Sequence, residues 1–170
     1  TDNIYTTEFR GNRVRKFTPE GELLIEWGGV GSEPGQFSAP TGIAVGPDGR
    51  VYVTEIGGSR VQVFSSEGTL LDTWGTPGDG PGEFASAMTV ALDDEMRVYV
   101  SDWGNSRIQV FDSAGQYLKR IGTGVPDMSN PTGVAIGPDG DLWVMDRGNS
   151  RIQRFTRDGA FVQLWTRAGE

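Results

Sequence analysis

The chain has 170 residues, 36% hydrophobic and 22% charged, a balance that supports a packed core and excludes a disordered polypeptide. Its net charge of −8, from 15 Lys and Arg against 23 Asp and Glu, opposes nucleic acid and anionic membrane surfaces as partners. With no cysteine and no histidine, disulfides, thiolate nucleophiles, Cys-ligated zinc and imidazole bases or ligands are excluded.

No apolar run approaches the ~18 residues of a membrane helix, and residues 1–5 carry neither the basic nor the apolar part of a secretion signal. What dominates the chain is a repeat. The pattern Arg-(Val/Ile)-x-x-Phe recurs at Arg13–Phe17, Arg60–Phe64, Arg107–Phe111 and Arg151–Phe155, with spacings of 47, 47 and 44 residues. A period in the forties, carried by short alternating strands, is the mark of β-propeller blades.

In chain order, the first unit (residues 1–30) starts at Ile4-Tyr5-Thr6, which aligns with Val51-Tyr52-Val53 of the second. It therefore supplies the second, third and fourth strands of a blade (b, c and d) without the innermost strand a. The second unit (37–77) has all four, with Pro47-Asp48-Gly49 turning a into b and Ser66-Glu67-Gly68 turning c into d. The third unit (84–124) predicts strands at Thr89–Leu92, Arg97–Ser101, Arg107–Phe111 and Tyr117–Ile121, and the fourth (128–168) repeats the plan. Strand a, as in Ile43-Ala44-Val45 and Val134-Ala135-Ile136, is apolar without alternation, the expectation for a strand covered on both faces and lining the axis. Trp27, Trp74 and Trp165, with Ile121 in the same slot, sit on strand d, where bulk fills the widening gap between blades.

The units resemble the NHL repeat, on Pro-Thr-Gly-Ile-Ala-Val-Gly-Pro-Asp-Gly at Pro40–Gly49, Gly-Pro-Gly-Glu-Phe at Gly80–Phe84, and Val-Tyr-Val-Ser-Asp-Trp-Gly-Asn-Ser-Arg-Ile-Gln-Val-Phe at Val98–Phe111. The resemblance implies an all-β propeller of four-stranded antiparallel blades, of a kind that usually forms six-bladed rings closed by strands from both termini. Four units fall short of that. The expectation is an incomplete propeller, a fragment or an engineered array, completed by self-association as a homo-oligomer, because apolar blade faces left uncovered favour aggregation.

An acid ending strand b precedes by five residues the arginine opening strand c in every unit: Glu8 and Arg13, Glu55 and Arg60, Asp102 and Arg107, Asp146 and Arg151. Four equivalent pairs read as scaffold, each a bidentate clamp across the b–c hairpin. The residue after each acid differs: Phe9, Ile56, Trp103 and Arg147. With Arg10, these form a candidate face for a protein or glycan on one end of the ring; the alternative is that they tuck onto neighbouring blades. The glycine-rich stretches 28–35 and 75–82 lack the Lys-Ser/Thr terminus and helix of a phosphate loop and read as linkers. The function expected is a non-catalytic interaction module without cofactor. A propeller lyase or hydrolase with calcium on carboxylates such as Asp79, Asp93, Asp94 and Glu95 is the alternative; the metal site of related amidating lyases relies on histidines, absent here. RNA binding through Arg10, Arg13, Arg15 and Lys16 is a lesser one, opposed by the net charge.

Overall fold

Short β-branched segments punctuated by Gly, Pro and Asp turns have one economical solution, the antiparallel meander, and each repeat adopts it. The computed structural model describes residues 3–124 and 126–166. Blade 1 is a three-stranded sheet of β1 (Ile4–Glu8), β2 (Arg13–Phe17) and β3 (Leu23–Gly28). Blade 2 comprises β4 (Pro40–Val45), β5 (Val51–Glu55), β6 (Arg60–Phe64) and β7 (Leu70–Trp74). A two-residue parallel pair, β8 (Thr76–Pro77) and β9 (Glu83–Phe84), pins the next linker, as the single bridge of Val30 with Phe37 does the previous one. Blade 3 is β10 (Ala87–Leu92), β11 (Val98–Asp102), β12 (Arg107–Phe111) and β13 (Tyr117–Ile121). Blade 4 is β14 (Pro131–Ile136), β15 (Leu142–Asp146), a 3-10 turn at Arg147–Asn149, β16 (Arg151–Phe155) and β17 (Phe161–Thr166). Residues 1–2 of the first predicted unit and 167–168 of the last lie outside the described residues.

The core consists of three apolar layers, one between each consecutive pair of blades. Tyr5, Val14 and Trp27 of blade 1 meet Phe37, Ile43, Val51, Val53 and Phe64 of blade 2. Tyr52, Val61, Val63 and Trp74 then meet Phe84, Ala87, Val90, Val98, Val100 and Phe111. Tyr99, Ile108, Val110 and Ile121 meet Met128, Leu142, Val144 and Phe155. In blades 2 and 3 one face of the sheet thus packs forward and the other backward, as the period-two alternation of strands b and c requires. The forward face of blade 4 meets no such layer among the described residues: Met145 is 54% and Trp165 37% exposed, with Trp165 stacked on Trp143.

Strand a is expected to be covered on both faces and to line the axis, and β4 does pack between β1 and β10. Every residue of β5, β11 and β12 is buried, whereas β4, β10 and β14 are only partly so. In blades 2 and 3 strand b has a strand on either edge and a blade on either face; strand a borders the axis and has one edge toward it. Its small residues serve close approach: a Cβ added to Gly42 would lie 2.5 Å from Thr54 Oγ1 and 2.7 Å from Thr89 Cα in the next blade.

The strand-d aromatics do fill the gap between blades. Trp27 lies 5.8 Å from Phe64 and Trp74 4.5 Å from Phe111, centroid to centroid. Each also roofs the c–d turn of the following blade, so a Cβ on Gly68 or Gly115 would meet Trp27 or Trp74 at 2.8 or 2.5 Å. Those glycines have positive φ for the turn and no side chain for the tryptophan.

Candidate functional site

The end of the array that carries the b–c loops is assembled from repeated polar parts. In each loop the residue before the strand-c arginine is left-handed (Asn12, Ser59, Ser106, Ser150), which turns the chain back within four residues. Each loop leans on the linker entering its blade: Ile56 N donates to Ala39 O, Trp103 N to Ser86 O and Gly148 N to Ser129 O. Asparagines tie the loops of blades 1 and 3 to the linkers entering the following blades, Asn12 Oδ1 accepting from Ala39 N and Asn130 Nδ2 donating to Trp103 O. The four loops therefore share one end of the molecule.

The four acid–arginine pairs are all formed, with Arg Nε to carboxylate distances of 2.6, 2.7, 2.9 and 2.7 Å along the chain. They are not bidentate clamps of the hairpin. Only Nε meets the acid in blades 2 to 4; the outer nitrogens of Arg60 reach Ser32, Glu33 and Gln36 carbonyls, and those of Arg107 reach Asp79, Gly80 and Glu83 carbonyls. Arg151 donates likewise to Asp127 O. The arginines of blades 2 to 4 thus hold the linkers between blades, whose carbonyls have no strand to pair with. The acids are fully buried in blades 2 to 4, and their second oxygen accepts linker amides: Ser38 N on Glu55, Ala85 N on Asp102, Ser129 N on Asp146.

A third member was missed in the sequence. Gln62, Gln109 and Gln153 are fully buried and donate to the same carboxylates. Gln62 and Gln109 also bond both ways with the glycine-rich linkers, accepting from Gly35 N and Gly82 N and donating to Gln36 O and Glu83 O. The signal was there as Arg-x-Gln in three units. Amides already engaged in this way are not a phosphate cradle. In blade 1 the glutamine position holds Arg15, and Glu8, Arg13, Arg15 and Glu26 form a partly exposed network; the hydrogen bond from Arg13 holds the Glu8 carboxyl below its ordinary range.

The five face candidates divide. Phe9 is 52% exposed, and Arg10 and Arg147 are exposed beside the same kind of turn. Ile56 and Trp103 are half-buried, and the Trp103 indole N–H is shielded without an acceptor among the described residues. Loop packing accounts for these two; the first three project from the frame. Phe9 and Arg10 belong to blade 1 and Arg147 to blade 4.

The opposite end, with the a–b and c–d turns, is stapled by ions. Arg157 of blade 4 bonds Asp94 and Glu95 of blade 3 at 2.7 and 2.6 Å. Beneath them Asp93 accepts from Arg97 and from the Tyr99 hydroxyl at 2.7 and 3.0 Å. Burial raises the Asp93 carboxyl, but bonds from Arg97 and Tyr99 outweigh it and hold it low; burial, then the Asp93 charge, push Tyr99 well above the usual phenol value. Asp93 and Glu95 are thus engaged with cations, and no group of three or more carboxylates able to hold a metal occurs among the described residues.

Comparison with known proteins agrees with this architecture. The NHL repeat matches at residues 37–64 and 128–155. A catalytically inactive virginiamycin B lyase from Staphylococcus aureus, solved with quinupristin, has a TM-score of 0.77 at 23% identity over 99% of this chain and 53% of its own. A chain of a nidogen/laminin complex has a TM-score of 0.72 at 17% identity, over 97% and 59%. A protein of unknown function from Bacteroides caccae has 0.70 at 15%, over 96% and 57%. At such identities the likeness is one of fold. The chain spans about half the length of the lyases that it matches. No curated protein matches the sequence. On repeat pattern, blade geometry and these matches together, the chain is an array of β-propeller blades in which residues 37–64 and 128–155 match the NHL repeat.

Proposed function

We propose that this chain is a non-catalytic interaction module that binds a protein or glycan through its b–c loop face. The observation that carries the reading is the contrast between b–c loops turned alike in all four blades and the exposed, unlike side chains set on them, Phe9 and Arg10 in blade 1 and Arg147 in blade 4. Aromatic and arginine side chains on rigid loops are the chemistry of binding hot spots. A neighbour of the same fold occurs in a protein complex, which agrees with this use. The enzyme reading needs free acids, whereas the acids repeated through the blades are bonded to arginine. In the lyase neighbour an alanine replaces histidine in the inactive form, and this chain has no histidine at all.

The test is selection of ligands from a displayed peptide library and a glycan array against the folded chain, followed by binding to variants. Ligands of the loop face lose at least tenfold on Phe9→Ala or Arg147→Glu and are indifferent to Leu71→Ala on the rim. Ligands indifferent to all three refute the face. The reading includes self-association, supported by the uncovered apolar face of Met145, Ile152 and Trp165. Light scattering during size exclusion then shows a closed dimer or larger species that Met145→Glu reduces to monomer, and a concentration-independent monomer contradicts it.

A further inference from the structure

At the end of the array opposite the b–c loops, the a–b turns of neighbouring blades lie side by side, and the grooves between them are filled differently. Corresponding turn residues are Gly49 in blade 2, Met96 in blade 3 and Gly140 in blade 4, each with positive φ and each donating its amide to the residue three before it. Between blades 2 and 3 the Met96 side chain reaches back across the groove: a Cβ added to Gly46 of blade 2 would lie 3.1 Å from Met96 Cε and 3.3 Å from Leu92 Cδ2. An unbranched thioether is suited to filling an irregular gap of this kind. Between blades 3 and 4 the residue in Met96's place is Gly140, and a cleft of about 410 Å³ remains.

The lining of the cleft is of two kinds. Leu92 and Ile136 supply aliphatic surface, and Asp94 and Asp139 supply carboxylates. Arg157 spans it from blade 4, donating to Asp94 Oδ1 at 2.7 Å and to Glu95 Oε1 at 2.6 Å, with its guanidinium over Gly140. Both outer nitrogens of Arg157 are thus engaged, whereas Asp94 Oδ2 accepts no hydrogen bond among the described residues and the Asp94 side chain is 75% exposed. The ion pairs around the cleft join five carboxylates, Asp93, Asp94, Glu95, Asp139 and Asp141, to three guanidinium groups, Arg97, Arg154 and Arg157. An anion entering here meets an excess of like charge, and a cation meets acceptors.

We propose that the cleft between the a–b turns of blades 3 and 4 binds a primary alkylammonium group, its chain on Leu92 and Ile136 in the place that Met96 takes in the neighbouring groove and its head on Asp94 and Asp139. The chain is apolar and unbranched because it takes over the contact that methionine makes one blade earlier. The head is an ammonium because it carries donors alone, which suits carboxylates that still have lone pairs to offer. A bare metal ion leaves the aliphatic lining uncovered and finds no group of three or more carboxylates able to hold it among the described residues. The same chemistry is carried by a free amine and by the lysine side chain of a partner. This site lies at the end opposite the loop face and is independent of the loop-face reading.

The experiment is amide NMR of the isotopically labelled 170-residue chain, titrated at neutral pH with n-pentylamine, and with n-pentanol and ammonium chloride as the chain and the charge alone. Saturable shifts centred on the amides of Leu92, Asp94, Ile136 and Gly140 are expected, with n-pentanol and ammonium each binding at least tenfold more weakly. Gly140→Met, which supplies the side chain that blade 3 carries at a φ of 62°, abolishes binding. Because that variant also displaces Arg157, Asp94→Asn is measured beside it and weakens n-pentylamine about threefold without altering the turn. Nα-acetyl-lysine N-methylamide separates the two sources: affinity equal to that of n-pentylamine or above it assigns the cleft to a lysine side chain, and weaker affinity to a free amine, either of which supports the site. Absence of saturable shifts, n-pentanol binding as tightly as n-pentylamine, or unchanged affinity in Asp94→Asn overturns the proposal.

Discussion

At the residue scale, one position in each blade ties the chain together. Asp102 is fully buried and accepts from five donors: Ala85 N, Ser86 N, Asn105, Arg107 and Gln109. Asp102→Ala strands the buried Arg107 and frees the linker, at a cost of about 3–5 kcal/mol in urea unfolding. Glu8→Ala, in the exposed version of the same pair, changes unfolding far less. A second cluster sets the pH limits. Asp93 has a lowered folded pKa, so its contribution is present above the ordinary carboxylate value of 3.8 and is lost as pH falls through the folded value. Tyr99 has a raised folded pKa, so its contribution is complete below the usual phenol value of 10.0 and declines above it, where only the unfolded chain ionises. Tyr99→Phe should flatten the alkaline decline of Tm and cost about 1 kcal/mol at neutral pH through the lost bond to Asp93. Tyr52, also raised by burial, retains its own share.

At the scale of elements, the c–d turns show how one local signal carries two meanings. Gly21, Gly68, Gly115 and Gly159 all have positive φ, and the turn chemistry that demands them is legible in the sequence. What lies above them is not. Gly21 has open space, while Gly115 lies beneath Trp74 of the preceding blade. Gly21→Ala should therefore cost only the backbone strain of about 1 kcal/mol, and Gly115→Ala at least twice that in denaturant titration, since Trp74 must move out of its contact with Phe111. Strand boundaries were also legible to within a residue or two; β11, for example, starts at Val98 and not at Arg97, whose side chain turns aside to Asp93. Burial along strand a was less legible. Its unbroken apolar run goes with small residues between converging blades, although its residues are less buried than those of strands b and c in blades 2 and 3.

At the scale of the molecule, the blades are held by three apolar layers and by bonds that cross them, such as Lys16 to Ser66 O and Arg157 to Asp94 and Glu95. Removing one layer's anchor should weaken the whole array, because neighbouring repeats stabilise one another. Trp74→Ala is expected to lower stability by about 3–5 kcal/mol and to broaden the unfolding transition, as blades 1 and 2 separate from blades 3 and 4. Calorimetry resolves this: a sharp single transition in the variant would mean that the four blades unfold as one unit.

The sequence by itself determined the repeat, the order of strands, the turns that connect them and the pairing of each acid with its arginine. All of these are encoded within a few residues, by period-two alternation, by φ preference and by a constant separation of five. The tertiary structure alone decided that the arginines hold linkers, that glutamines share their acids, and which loop residues project. The linker carbonyls that Arg60 and Arg107 bind lie 24–28 residues upstream. The surface that covers Trp27 and Trp74 belongs to the next blade. Such partners meet only when one blade is set against another, and no local pattern in the chain specifies the angle at which that happens.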